Sequence, residues 1–163
     1  MNISPFGAEK DRWFMGQALA QARTAMLQDE VPIGAVVVNA AGEIIAQSHN
    51  ATERLCTQAA HAEIRALSLA GEYRQDWRLE DYWLYVTLEP CVMCMGLIYL
   101  SRIKGLVYGA SSPLFGSRLD NSMLLPVYKV DTLCVISDVC ADEASEMLKQ
   151  FFKEKRNAGD AVE

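Results

Sequence analysis

The 163-residue sequence predicts an α/β three-layer sandwich, a five-stranded mixed sheet with helices on both faces. Three observations lead there. The chain is 51% hydrophobic and 22% charged, which suits one folded domain and excludes a disordered or low-complexity chain. Strand-like and helix-like segments alternate through its middle, the pattern of a sheet covered on both sides. The run Val31-Pro-Ile-Gly-Ala-Val-Val-Val38 is continuously apolar and rich in β-branched residues, as a strand buried on both faces requires.

From the N-terminus, Glu9 to Leu27 places Ala18, Ala22, Ala25 and Met26 near helical spacing and predicts a helix. Val31 to Val38 is the first strand, Asn39 to Gly42 a turn, and Glu43 to Ser48 a second strand pairing back. A loop from His49 to Ala59 leads into a helix over Ala60 to Leu69 that stops near Gly71. Tyr82 to Leu88 is the most apolar strand; Pro90 breaks it and opens a helix from Cys91 to Ser101. Gly105 to Gly109 is a fourth strand, Ala110 to Tyr128 mostly loop, Leu133 to Ile136 a fifth strand, and Ala141 to Arg156 the last helix. No repeat or linker interrupts this order. The expectation is a single domain over residues 1–163, with a core from about 10 to 156 and a frayed tail over 157–163.

Composition also narrows the setting. The longest apolar stretch, Cys91 to Leu100, is half of a membrane span, which needs about 20 residues. The opening segment lacks the basic flank and apolar core of a signal peptide. A soluble cytoplasmic chain with no membrane partner is expected. Five cysteines are an odd number and too few for a disulfide scaffold, so a cysteine cluster in such a reducing compartment reads as metal-binding or catalytic. The net charge of −6 argues against a chain-wide nucleic-acid footprint but leaves room for a local basic patch.

The chemistry concentrates in two short segments. The chain has two histidines, His49 and His61, and His61 stands in His61-Ala62-Glu63. Thirty residues later comes Pro90-Cys91-Val92-Met93-Cys94. Cysteines at i and i+3 on the first turn of a helix point the same way, and the helix N-terminus favours their thiolates. One imidazole and two thiolates suit Zn²⁺, one ion per chain, and three protein ligands leave a position for water, as in catalytic sites. Glu63 lies beside this set without belonging to it and is the natural proton shuttle. Alone, a C-x-x-C is as often a redox or structural pair, and an H-x-E on a helix is usually a solvated face. A closed four-ligand site completed by Cys56 or His49 is compatible with the spacing, but leaves Glu63 without a role.

H-x-E followed by P-C-x-x-C is the signature of zinc deaminases. Val31-Pro-Ile-Gly-Ala-Val36, His61-Ala-Glu-Ile64, Tyr85-Val-Thr-Leu-Glu-Pro-Cys-Val-Met-Cys94, Ser101-Arg-Ile103 and Val107-Tyr-Gly109 together resemble bacterial tRNA-specific adenosine deaminases, from about Trp13 to Arg156. The resemblance implies a cytidine-deaminase-like fold, a homodimer, no organic cofactor, and hydrolysis of adenosine to inosine at the wobble position of a tRNA anticodon loop. It implies zinc on His61, Cys91 and Cys94, with Glu63 moving protons. It assigns Asn50 and the Ala62 N–H to the flipped base, and Val31 and Ile33 to the apolar walls of the pocket. The C-terminal run Phe151-Phe152-Lys153-Glu154-Lys155-Arg156 matches the family's RNA-contacting helix, which makes Phe152, Lys153, Lys155 and Arg156 the RNA contacts. The other reading of that run is an amphipathic helix docking its phenylalanines in the core.

Two stretches depart from the family. Ala110-Ser-Ser-Pro-Leu-Phe115 carries no charge where the family has a basic and an acidic residue, and Thr57-Gln-Ala-Ala60 lacks the usual Asp-Pro-Thr. Two rival functions remain open at this level. A deaminase of a free base, nucleoside or nucleotide, of guanine or cytosine type, uses the same zinc and glutamate. A non-catalytic zinc module predicts a fourth protein ligand and indifference to Glu63. Cys56, Cys134 and Cys140 receive no role.

Overall fold

The computed structural model describes residues 4–116 and 133–160. The elements, in order, are α1 (Ala8–Leu27), β1 (Gly34–Val38), β2 (Ile44–His49), α2 (Thr52–Leu55), a 3₁₀ turn (Gln58–Ala60), α3 (Ala62–Arg74), β3 (Trp83–Leu88), α4 (Val92–Leu100), β4 (Gly105–Ala110), β5 (Cys134–Ile136) and α5 (Ala141–Asp160). The expected loop over Ala110 to Tyr128 lies outside the described residues beyond Gly116.

The five strands form one mixed sheet in the order β2-β1-β3-β4-β5. β1 is antiparallel to both β2 and β3, whereas β3, β4 and β5 run parallel. Strand periodicity divides the core cleanly. Ala35, Val37, Leu84, Val86 and Leu106 face the layer of α3 and α4, where Ala62, Ala66, Met95 and Ile98 close over them. Val36, Val38, Trp83, Tyr85 and Val107 face the other layer, where Phe14, Met15 and Ala18 of α1 and Ala144 of α5 pack. All five residues of β1 are buried, as the sequence requires of a strand covered on both faces.

Several boundaries differ from those read in the sequence, for local reasons. β1 begins at Gly34, not Val31, because Pro32 has no N–H to give a central ladder. The segment from His49 to Ala59 is not plain loop but holds α2 and most of the 3₁₀ turn. The expected helix from Ala60 to Leu69 is broken at His61, whose extended backbone (φ −61°, ψ 146°) caps α3. Gly71 does not stop that helix; it continues to Arg74 and ends at Gln75, which takes the left-handed conformation (φ 57°). The C-terminal helix runs to Asp160, four residues past Arg156.

One close approach ties the layers together. A Cβ on Gly34 would stand 2.0 Å from the Ala18 carbonyl oxygen and 2.5 Å from the Ala22 nitrogen, both backbone atoms of α1. Only glycine lets the helix lie this near the first residue of β1. The same end of the sheet carries the turn after β3, the exit from β2 and the capping residue of α3. No helix among the described residues is long and apolar enough to cross a membrane. Gly34→Ala should destabilise the fold by about 3 kcal/mol, since rigid backbone must move to admit the methyl group; chemical denaturation against wild type measures this.

Candidate active site

The site is built from two helix N-termini at the carboxyl end of β3. β3 ends at Leu88, and Glu89 and Pro90 carry the chain to Cys91, the extended capping residue of α4 (φ −72°, ψ 171°). Cys94 follows one turn later and is buried. His61 caps α3 from the facing side. Its Nδ1 lies 3.4 Å from Cys94 Sγ and 3.7 Å from Cys91 Sγ, and the three ligand atoms fall within 4.8 Å of one another. A tetrahedral zinc with Zn–S of about 2.3 Å and Zn–N of about 2.0 Å sets nitrogen and sulfur about 3.5 Å apart, so the donor set fits the ion in both chemistry and spacing.

The electrostatics agree with a metal centre. The hydrogen bond from Cys94, with a further one from His61, holds the Cys91 thiol down to about 3. Cys94 is pushed up, first by that same hydrogen bond and then by its burial. His61 is raised, chiefly by its hydrogen bond to Cys91. The three groups compete for protons that a divalent cation would displace, because zinc ligation needs thiolates and a neutral imidazole.

Glu63 lies in the first turn of α3 and is only 4% exposed. Burial raises its pKa, against the pull of its own backbone N–H and of His61. A carboxyl group that keeps or yields its proton according to its surroundings is thereby held beside the metal ligands. Neither candidate fourth ligand joins the cluster. The His49 ring nitrogens lie 3.3 Å from Gln21 Oε1 and 3.2 Å from Gln28 Oε1, and exposed Cys56 donates to the Glu53 carbonyl. Among the described residues, His61, Cys91 and Cys94 form the one such group.

Around this centre the register gathers most of the remaining candidates. Gly34 of β1 pairs with His49 of β2, so Asn50 leaves the sheet beside Ile33 and donates its backbone N–H to the Ile33 carbonyl at 2.9 Å. Asn50 is buried; Val31 and Ile33 are half-buried, and Ile33 packs against the α3–α4 side of the core. Ala62 is the first residue of α3, where a helix supplies no internal partner for its N–H. At the C-terminal helix the two phenylalanines take opposite sides. Phe151 is 6% exposed and packs inward, while Phe152 is 45% exposed. Lys153, Lys155 and Arg156 are exposed, and Lys155 Nζ pairs with Asp29 Oδ2 at 2.5 Å, which brings α5 to the segment leading into Val31.

The structure adds residues that the sequence did not single out. Glu30 is fully buried and accepts hydrogen bonds from Asn50 Nδ2 (3.2 Å), the Glu53 N–H (3.2 Å) and the Arg54 N–H (2.7 Å). Its only signal in the sequence is a charge directly before the apolar run at Val31. Glu89 Oε2 accepts the Ser112 N–H at 2.9 Å, and Gly116 bridges to Cys91, so the uncharged loop folds onto the metal-binding turn. That loop exposes Leu114 and Phe115.

Residues 8–110 match the cytidine and deoxycytidylate deaminase zinc-binding region. The chain belongs to this family. A Bacillus subtilis tRNA-specific adenosine deaminase is 42% identical over 149 residues, covering 90% of this chain and 91% of its own. A solved structure from work on A-to-I editing by tRNA:A34 deaminases superposes with a TM-score of 0.77 at 41% identity, covering 83% of this chain and 99% of that one. A guanine deaminase from Nitrosomonas europaea superposes nearly as well, with a TM-score of 0.76, but at 28% identity, covering 91% of this chain and 85% of that one. The deaminase family is a zinc family, and the three ligands it needs stand together here. Removal of any one of His61, Cys91 or Cys94 by alanine should abolish zinc retention, whereas His49→Ala and Cys56→Ala should keep the wild-type zinc content; elemental analysis of purified protein distinguishes the two groups.

Proposed function

We propose that this chain converts adenosine to inosine at the wobble position of a tRNA anticodon loop, acting as a cytoplasmic homodimer. The observation that carries the chemistry is a buried carboxyl, Glu63, two residues from His61 and beside a three-residue zinc set. The choice of substrate follows sequence identity. Tertiary similarity is nearly the same for the tRNA:A34 deaminase structure and the Nitrosomonas guanine deaminase, but identity is 41% to the first and 28% to the second.

The reaction adds water at C6 of adenine and releases ammonia. His61, Cys91 and Cys94 would hold the zinc, which would supply a nucleophilic water at neutral pH and stabilise developing negative charge. Glu63 takes one proton from the attacking water and delivers it to N1 of the ring. It then carries the second proton to the departing amino group, so the carboxylate is regenerated at the end of the cycle. Burial raises the Glu63 pKa and thereby makes its protonated form easier to reach at neutral pH. Asn50 and the Ala62 N–H hydrogen-bond the base, and Val31 and Ile33 exclude water from its flanks. An anticodon base is already unpaired, so bringing it into such a pocket costs little compared with opening a duplex.

RNA is held by Phe152 through stacking and by Lys153, Lys155 and Arg156 through phosphates. The exposure of Phe152 supports this reading, and the run from Lys153 to Arg156 is a local basic segment in a chain of net charge −6. The apolar residues exposed along α4, Val92, Met93 and Leu100, support self-association.

In zinc-loaded protein, Glu63→Gln should keep its metal and lose roughly 10²- to 10⁴-fold in turnover. Sequencing of reverse-transcribed tRNA, where inosine reads as guanosine, reports that loss and the edited position together. Conversion of free guanine in place of the wobble adenosine would select the guanine-type alternative. Lys153→Ala with Arg156→Ala should weaken tRNA binding across sequences. It should also flatten the slope of log K against log salt by about 0.7 for each phosphate no longer neutralised; binding titrations over a salt series measure it.

A further inference from the structure

We propose that Glu30, together with Thr52, is a positioning residue that locks the side-chain amide of Asn50 in one of its two orientations. The inference rests on the reading of Asn50 as the residue that hydrogen-bonds the base, and extends it to what decides the polarity of that contact. An amide presents a donor at one end and an acceptor at the other, so a flip about its last bond exchanges the two. In a base pocket the flip would turn an attraction to a ring nitrogen into an opposition of lone pairs.

The local geometry excludes the flip at the Glu30 carboxylate, and the Thr52 hydroxyl, which can donate or accept, holds the other end. Glu30 Oε1 accepts from the Arg54 N–H at 2.7 Å, while Oε2 accepts from the Glu53 N–H and from Asn50 Nδ2, each at 3.2 Å. The Glu30 carboxylate offers Asn50 acceptors only, so Nδ2 must face it. On the other side Asn50 Oδ1 accepts from the Thr52 hydroxyl at 2.7 Å. Asn50 is 3% exposed, and its backbone N–H is spent on the Ile33 carbonyl, so the side chain cannot swing away. What is left for a ligand is one Nδ2 hydrogen and the second lone pair of Oδ1, with their order fixed. A role in capping α2 alone does not account for a fully buried acid. That helix is one turn long with no buried residue, and a Ser or Asp at its capping position, now Ala51, would serve as well without burying a charge.

A double-mutant cycle tests the proposal. Deamination of an anticodon stem–loop RNA with adenosine at the wobble position is measured for wild type, Glu30→Gln, Asn50→Ala and the double variant. Zinc content and thermal denaturation are followed in parallel. Gln is isosteric with Glu, but its amide nitrogen must oppose one of the N–H groups that the two carboxylate oxygens accept, so the acceptor-only surroundings of Nδ2 are lost while volume is conserved. Glu30→Gln and Asn50→Ala should each lower kcat/KM about five- to tenfold, largely through KM, the scale of one hydrogen bond. The double variant should be no worse than Asn50→Ala alone, because an orienting residue has no effect once the amide it orients is gone. Losses that multiply in the double variant would show that Glu30 supports the fold and does not act through Asn50. Should Glu30→Gln fail to fold, Thr52→Val frees only the Oδ1 side, and the same cycle with Asn50→Ala gives the same pair of opposed outcomes. Wild-type efficiency in Asn50→Ala would reject the base-contact reading and this inference with it. An impaired Asn50→Ala beside fully active Glu30→Gln and Thr52→Val would reject this inference alone.

Discussion

The first turns of α3 and α4 meet at the carboxyl end of β3, and their meeting is the constraint on which the rest of the molecule depends. His61 and Cys91 are both capping residues with extended backbone, so each presents its side chain from the last non-helical position before a helix. Their approach to 3.7 Å, with Cys94 at 3.4 Å from the same nitrogen, tolerates little shift of either helix. Both helices are held by burial against one face of the sheet, through Ala62 and Ala66 on one and Met95 and Ile98 on the other. The opposite face must be covered too, and there Gly34 lets α1 approach β1 closely enough to seal it. A metal centre of this kind is thus a property of three layers in register.

Three buried acids show how the same cost is met in different ways. Asp11 accepts from the Tyr85 hydroxyl and the Ser4 hydroxyl, both at 2.6 Å, and serves the α1 layer. Glu30 accepts three N–H groups and serves the segment around Asn50. Both are surrounded by donors that belong to the frame, which is what a buried acid requires. At Glu63 burial outweighs the groups that favour the charged form, and its pKa rises. An acid left in that condition beside a metal set is suited to moving protons, whereas the other two are suited to holding backbone and side chains still.

The division between chemistry and substrate follows the same lines. A tRNA:A34 deaminase structure and a guanine deaminase structure superpose on this chain with TM-scores of 0.77 and 0.76, so one sheet-and-helix frame serves enzymes that act on different bases. In this chain the uncharged loop exposes Leu114 and Phe115, and α5 exposes Phe152. Glu89 and the Gly116 bridge anchor that loop to the metal turn, so its composition can change without disturbing Cys91.

By itself the sequence determined the periodic elements and the short-range chemistry. The five strands and the major helices follow from apolar period and punctuation, and the pairs His61–Glu63 and Cys91–Cys94 follow from spacings within single turns, where geometry is set by neighbours in the chain. Family resemblance carried Asn50, whose local sequence says nothing of its role. The tertiary structure decided everything that depends on residues far apart in the chain meeting. It excluded His49 and Cys56 from the metal, because their partners Gln21, Gln28 and Glu53 hold them elsewhere. It turned Phe151 inward and Phe152 outward, although one run contains both. It also brought Glu30 to Asn50 across twenty residues, a contact that no periodicity encodes because it is made only when β1, β2 and α2 have come together.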